Sequence, residues 1–170
     1  MPVTIRTADA AEHNQILDCV RSAFATGGRD GSTEVAIVRR TWALAAAPPG
    51  LELVAVEGSK IVGHVIGARG RLEGREVIGL APLAVRPPEQ GKGIGSALAT
   101  ELLRRAEVAG WPLVVLLGDP GYYRRFGFEP SGPLGIVYAP VGEGDPHFQV
   151  RRFGGYEPTL KGEFTYWWEH

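Results

Sequence analysis

The sequence predicts an α+β fold with a mixed, mostly antiparallel sheet, one parallel β-α-β pair and helices on its flanks. Three observations lead to this prediction. Two amphipathic helical segments come early in the chain, strand-like segments joined by short turns follow them, and a glycine-rich loop then leads from a strand into a long helix and another strand. Short turns join antiparallel strands, whereas a helix between two strands makes them parallel neighbours.

The N-terminal part is predicted to hold one short strand and two helices. Residues 3–6 alternate as a strand does, and Asp9 and Glu12 have the spacing of a capping box that starts a helix. Ser32 is predicted to cap a second helix, which ends before Pro48. The apolar positions that recur at helical spacing are Ile16, Leu17, Val20 and Phe24 in the first helix, and Val35, Val38 and Trp42 in the second.

The middle of the chain is predicted to form two successive hairpins. Segments 51–57 and 60–67 are strand-like and are separated by two turn residues, and the turn at Glu73 leads into a third long strand at 77–85. Pro82 lies inside that strand. Because proline cannot donate a ladder hydrogen bond, we expect a β-bulge there.

The β-α-β pair is predicted from the segments that follow. Residues 94–109 form an amphipathic helix, and the uninterrupted apolar run at 113–117 is typical of a strand buried on both faces. Asp119 is expected to cap a short helix that ends at Gly127.

Two closing strands are predicted at 148–153 and 159–168. Trp167 and Trp168 are adjacent on the second of them and would therefore face opposite sides. One would pack inside, and the other would be free to contact a second copy, so a homodimer is predicted. We find neither a repeat nor a linker, and we expect a single domain over residues 1–170.

The composition excludes several classes of protein. Eighteen Lys and Arg against 19 Asp and Glu give a formal charge of −1, which argues against a nucleic-acid partner and against a polybasic membrane anchor. The lone Cys19 excludes an intramolecular disulfide, and the N-terminus has no apolar stretch typical of a signal peptide. We therefore expect a cytoplasmic protein. The four histidines have no metal-ligand spacing, so no metal is expected; they are His13, His64, His147 and His170.

The stretch that indicates chemistry is the loop Gln90-Gly91-Lys92-Gly93-Ile94-Gly95-Ser96, which leads into the long helix. Glycines allow the backbone to approach a ligand closely, and the N–H groups at a helix N-terminus bind anions such as a diphosphate. The alternative is a glycine-rich turn that only packs the helix against the strand.

Two other phosphate-binding loops fit less well. A Walker loop requires a glycine where Arg86 stands and a Ser or Thr where Gly93 stands. The dinucleotide-binding fingerprint requires its first glycine at the end of the strand, and here residues 86–90 intervene. That second pattern remains an alternative, with Asp119 as its ribose-binding acid.

A third pattern, Gln/Arg-x-x-Gly-x-Gly/Ala, fits Gln90-Gly91-Lys92-Gly93-Ile94-Gly95. Downstream, Tyr123-Arg124-Arg125-Phe126-Gly127-Phe128 fits Tyr-x-x-x-Gly-Phe. With these two motifs in this order, the sequence resembles the GNAT superfamily of acyl-CoA-dependent N-acetyltransferases, and most of all the YhbS-type acetyltransferases. The resemblance implies a twisted GNAT-like sheet and an acetyl group moved from acetyl-CoA to an amine of a small molecule or of an amino terminus.

The resemblance also implies roles for individual residues. Tyr123 would be catalytic and give a proton to the departing thiolate. Asp119 would either contact the pantetheine or only cap the short helix, and we favour the cap. The residues implied to bind acetyl-CoA are Leu83, Ala84, Val85, Gln90, Gly91, Lys92, Gly93, Ile94, Gly95, Ser96 and Asp119.

One departure from the family leaves the general base open. Many members carry a glutamate on the third long strand, and residues 77–85 contain no carboxylate. Glu34, His64 and Glu76 are candidates, with His64 more typical of a core histidine; alternatively, the amine arrives neutral. Two other functions therefore stay open: an acyl-CoA-binding module without turnover, and a nicotinamide-dependent oxidoreductase.

Overall fold

A computed structural model describes residues 2–169, which form strands β1–β9 and helices α1–α4 joined by short turns and 3-10 segments. In chain order the elements are β1 (Val3–Thr7), α1 (His13–Phe24), α2 (Ser32–Ala43), β2 (Glu52–Glu57), β3 (Lys60–Leu72), β4 (Arg75–Val85), α3 (Ile94–Val108), β5 (Leu113–Leu117), α4 (Pro120–Tyr123), β6 (Glu129–Pro130), β7 (Ile136–Val137), β8 (Phe148–Arg152) and β9 (Gly162–Thr165).

The described chain divides into two compact units, and each takes two separate stretches of sequence. The first unit contains residues 2–67 and 81–102, and the second contains residues 68–80 and 103–169. Strands β3 and β4 and helix α3 each contribute residues to both units.

In the first unit, β1 pairs antiparallel with β2, and β2 pairs antiparallel with β3. The C-terminal end of β4 lies along β3, since the Arg86 N–H donates to the Val62 carbonyl at 2.9 Å. Buried apolar residues of α1 and α2 pack with Val54 and Ala84 in one cluster. Burial of such side chains is the main favourable contribution to folding.

In the second unit, β4 and β5 form the predicted parallel pair, with Ile78 opposite Val114. Strand β8 pairs antiparallel with both β5 and β6, and β9 pairs antiparallel with β3. The prediction of a mixed, mostly antiparallel sheet is therefore confirmed. A second parallel ladder, between β7 and β9, was not predicted.

Two local predictions are wrong. Ser32 does not cap α2, because the cap position is Gly31 in a left-handed conformation and the Ser32 N–H instead donates to Asp30 Oδ1 at 2.9 Å. Trp167 and Trp168 lie in a 3-10 turn and not on a strand. The argument that adjacent strand residues face opposite sides is thereby removed, and the homodimer stays a prediction.

Of the remaining local predictions, the structure confirms one and does not test another. The capping box of Asp9 and Glu12 is confirmed. The peptide bond before Pro82 is cis, and the bulge expected there stays a prediction. Over residues 2–169, the helices are too short or too polar to cross a membrane, and no three His, Cys, Asp or Glu side chains group as metal ligands; His170 lies outside the described residues.

Candidate functional site

One candidate region, in the first unit, is the end of β4 and the loop that follows it. Leu83 and Val85 are half-buried, and Ala84 between them is buried in the core. The Gln90 side chain folds back and donates from Nε2 to the Val85 carbonyl at 2.9 Å. This bond ties the glycine loop to the end of the strand.

Two glycines give this loop its shape. Gly91 and Gly93 have φ angles of +78° and +85°, a region that other residues enter only with strain. A Cβ atom at either position would meet nothing within 4 Å, so the space in front of the loop is open. Helix α3 begins at Ile94 directly after it. The first-turn N–H groups, including those of Gly95 and Ser96, have no acceptor within the helix and are available to an anion.

The two charged side chains near the loop differ in how firmly they are held. Lys92 is exposed and forms an ion pair with Glu89 at 3.0 Å. Arg86 donates from Nε to the Ile61 carbonyl at 2.7 Å, and this hydrogen bond holds its guanidinium against β3. Because an exposed ion pair contributes little energy, Lys92 can turn toward an anion at small cost.

A second candidate region is the turn after β5, in the second unit. Asp119 accepts a hydrogen bond from the Gly121 N–H at 2.9 Å, so the predicted helix cap is confirmed. Helix α4 then continues through a 3-10 turn to Gly127, which has a φ of +85°. This short segment carries Tyr123.

The ring of Tyr123 is held by close packing. A Cβ atom on Gly118 would lie 2.6 Å from Cε2 of Tyr123, so only glycine fits beneath this ring. Tyr122 and Phe128 pack edge-on against it, at 4.9 and 5.9 Å between ring centroids. Burial raises the pKa of the Tyr123 hydroxyl to about 12. The hydroxyl therefore keeps its proton at neutral pH, as a proton donor must.

Sequence analysis missed a buried residue that supports this turn. Gln149 on β8 is buried and donates from Nε2 to the Gly118 carbonyl at 2.9 Å. The only available signal was a polar residue in an apolar alternation, which is equally typical of a solvent-facing strand position.

The three candidate bases lie in different surroundings. Glu76 is exposed at the second residue of β4. Glu34, in the first turn of α2, forms an ion pair with Arg29 at 2.5 Å, and its other oxygen is buried without a partner among the described residues.

His64 is completely buried on β3, and it is paired with an acid that sequence analysis did not single out. Its Nε2 lies 2.8 Å from Oε2 of Glu52 on β2. The same oxygen accepts a hydrogen bond from the indole of Trp42 at 2.9 Å, and Trp42 stacks on His13. Within the described part of the chain, the His64 Nδ1 atom is buried and has no hydrogen-bond partner.

Comparison with known proteins links this arrangement to one family. Residues 4–131 match the model of an acetyltransferase (GNAT) domain. Among curated proteins, the uncharacterised N-acetyltransferase YjhQ of Escherichia coli strain K12 is 39% identical over 88 residues, which cover 49% of either protein. YhbS of the same strain is 38% identical over 82 residues, 46% of this chain and 49% of YhbS. The chain thus spans about half the length of the curated relatives it matches.

Solved structures match over more of the chain. A GNAT family acetyltransferase from Brucella melitensis, in complex with acetyl-CoA, is 32% identical with a TM-score of 0.80, over 97% of this chain and 96% of that one. YhbS from Escherichia coli, in complex with CoA, is 27% identical with a TM-score of 0.84, over 96% and 89% of the two chains.

Proposed function

The chain belongs to the GNAT acetyltransferase family, and we propose that it is an acetyl-CoA-dependent N-acetyltransferase acting on a primary amine. The acceptor would be a small molecule or an amino terminus. The observation that carries the proposal is the open glycine loop at Gly91 and Gly93, directly before helix α3. Its N–H groups suit a diphosphate, and the similar Brucella protein holds acetyl-CoA.

In this proposal, acetyl-CoA lies along the end of β4 and against the loop. The pantetheine amides pair with the backbone of Leu83 and Val85 as an added strand would. The pyrophosphate accepts hydrogen bonds from the backbone of residues 91–96, while Gln90 keeps the loop in place through its bond to Val85. Asp119 acts as the helix cap.

The proposed reaction is direct attack of a neutral amine on the thioester carbonyl carbon. The carbonyl oxygen becomes an oxyanion, which accepts a hydrogen bond from the Leu83 N–H. When the carbon–sulfur bond breaks, Tyr123 gives its proton to the thiolate, and the proton lost by the attacking nitrogen restores it. With its pKa raised to about 12 by burial, Tyr123 is protonated at neutral pH.

A module that binds acyl-CoA without turnover is the second candidate. The observation in its favour is the lack of any carboxylate at residues 77–85 of β4, where many members of the family carry their base. The protonated Tyr123 counts against it, because a binding module has no thiolate to protonate.

The first experiment is calorimetric titration of the purified protein with acetyl-CoA, with CoA and NADH as comparators. We expect micromolar binding of acetyl-CoA and CoA, and none of NADH. Gly93→Glu should abolish CoA binding, because it places a carboxylate where the pyrophosphate lies. Gly142→Glu is the control: Gly142 also has a positive φ and open surroundings, but it lies in a loop of the second unit.

The outcomes separate the candidate functions. Binding without release of free CoA thiol across a panel of amines would favour the binding module. Preferential binding of NADH would favour an oxidoreductase, and no binding of CoA would overturn the proposal. A cytoplasmic location fits the proposal, because acetyl-CoA is supplied there and Cys19 would stay a thiol.

A further inference from the structure

The buried pair of Glu52 and His64 has a defined proton arrangement. The Glu52 carboxylate can only accept hydrogen bonds, so the His64 Nε2 facing it at 2.8 Å carries the proton. The Trp42 indole can only donate, and it donates to the same carboxylate oxygen. In the neutral imidazole, Nδ1 of His64 is then a lone pair, and this atom is buried and without a partner among residues 2–169. A buried polar atom of this kind requires an explanation.

His64 lies on β3, beside the end of β4 where the proposal puts the thioester. His64 pairs with Val54 across β2 and β3, so both side chains point to the same face. Val54 and Ala84 belong to one buried cluster, which places the Ala84 side chain on that face too. The bond from Arg86 to Val62 sets the end of β4 beside β3. His64 thus lies one strand away from residues 83–85.

We propose that His64, oriented by Glu52, is the general base that removes a proton from the acceptor amine through a bound water. The inference rests on the proposed acetyltransferase function. Glu52 is the positioning residue, because it holds the imidazole with Nδ1 unprotonated, as a carboxylate does in a catalytic triad.

The protons balance in this scheme. An ammonium acceptor gives one proton, through the water, to His64 Nδ1, and the resulting imidazolium releases it to solvent. The neutral nitrogen then forms a bond to the carbonyl carbon, the carbon–sulfur bond breaks, and the second proton lost by nitrogen ends on the thiolate by way of Tyr123. The products are the amide, CoA thiol and one proton.

A built-in base also narrows the acceptor class. Aliphatic amines are protonated at neutral pH and need a base, whereas aromatic amines are already neutral. The pair of Glu52 and His64 therefore indicates an aliphatic primary amine as the acceptor.

The test compares acetyl transfer to phenethylamine and to aniline at neutral pH. His64→Gln and Glu52→Gln should each lower kcat for phenethylamine by about 100-fold, the low end for a general base, and change the aniline rate little. Acetyl-CoA affinity should stay the same, which also shows that the variants fold. The control is His147→Gln, since His147 forms an exposed pair with Asp145 at 3.0 Å, and we expect no change.

A second readout needs no acceptor. In the ¹⁵N NMR spectrum of the wild-type protein, His64 Nδ1 should be unprotonated, and its signal should move on addition of acetyl-CoA while that of His147 does not. A protonated Nδ1, an unmoved signal, or equal losses with both amines would overturn the assignment of His64. Failure of the wild-type protein to bind acetyl-CoA would overturn the proposed function itself and the assignment with it.

Discussion

At the level of single residues, Tyr123 is positioned by close packing around its ring. Gly118 leaves room beneath the ring, and Tyr122 and Phe128 close its edges. A phenol held in this way has a defined direction for its hydroxyl at little entropic cost. Removal of the hydroxyl alone should therefore change the chemistry without disturbing the fold.

Tyr123→Phe is expected to lower kcat about 100-fold and to leave acetyl-CoA affinity nearly unchanged, because a general acid contributes at least that factor. Steady-state release of CoA thiol and calorimetric titration measure the two quantities. Tyr156→Phe is the control, since Tyr156 is a half-buried tyrosine that contacts Arg152. An unchanged kcat in Tyr123→Phe would contradict the proton-donor role.

The raised pKa of Tyr123 also predicts a pH dependence of stability. The unfolded chain loses this proton near pH 10, while the folded protein retains it up to about pH 12. The unfolded state therefore binds fewer protons in that interval, and the free energy of unfolding should fall as pH rises from 10 to 12. Urea denaturation across this range should give a shallower decline for Tyr123→Phe than for the wild-type protein.

Gln149→Met should lower the free energy of unfolding by about 1–3 kcal/mol, because the part-buried Gly118 carbonyl loses its donor. It should also lower kcat, since Gly118 supports the Tyr123 ring. Gln15→Met, at an exposed position of α1, should stay within about 0.5 kcal/mol of the wild-type protein in the same urea denaturation. Equal stability of Gln149→Met and the wild-type protein would show that water replaces the lost donor.

The sequence predicted the candidate residues whose neighbours are close in the chain. Gln90, Gly91, Gly93 and Asp119 act through local geometry, which spacing reveals. Partners brought together by strand pairing were missed. Glu52 on β2 contacts His64 on the neighbouring strand β3, and the order of residues alone does not reveal the register between the two strands.

At the level of elements, the packing of α3 on β3 depends on the absence of a side chain. A Cβ atom on Gly63 would lie 2.9 Å from Cδ1 of Leu98 and 3.1 Å from Cγ2 of Ile94. The first turns of α3 therefore sit directly on the strand. Because those turns carry the N–H groups that are proposed to bind the pyrophosphate, we expect the position of the loop to depend on this contact.

Gly63→Ala should lower the free energy of unfolding by about 1–3 kcal/mol, as overpacking does in close-packed interiors. It should also weaken acetyl-CoA binding, because α3 must shift. Gly154→Ala is the control, since a Cβ atom there would meet nothing within 4 Å and its φ is not in the left-handed region. Urea denaturation and calorimetry measure both effects, and unweakened binding would show that the loop moves independently of α3.

The main helices and strands could be predicted because apolar residues recur at the positions that face the core, with the period of a helix or of a strand. Their ends were harder. Ser32 and Asp30 both have side chains that are typical of a helix cap. The cap position is instead held by Gly31 in a left-handed conformation, and the Asp30 side chain accepts a hydrogen bond from the Ser32 N–H. Trp167 and Trp168 follow a true strand, and a short apolar run does not distinguish a strand from a 3-10 turn.

At the level of the whole molecule, acetyl-CoA should stabilise the folded protein, because the unfolded chain has no loop to bind it. At a free concentration 100 times the Kd, the expected gain is about 2.7 kcal/mol. For a chain of this length, that raises the Tm by roughly 5 to 10 °C. Thermal denaturation should show the rise with CoA as well, none with NADH, and none in Gly93→Glu; a rise in that variant would move the binding site elsewhere.

The two compact units are interleaved along the chain, which crosses from one to the other after residues 67, 80 and 102. Neither unit is encoded by a continuous stretch. During synthesis, the first unit therefore stays incomplete until residues 81–102 emerge, by which time the first segment of the second unit has already been made. A gene cut at any one of these crossings divides at least one of the two units, so this chain is expected to be inherited, duplicated or fused to other proteins as a whole.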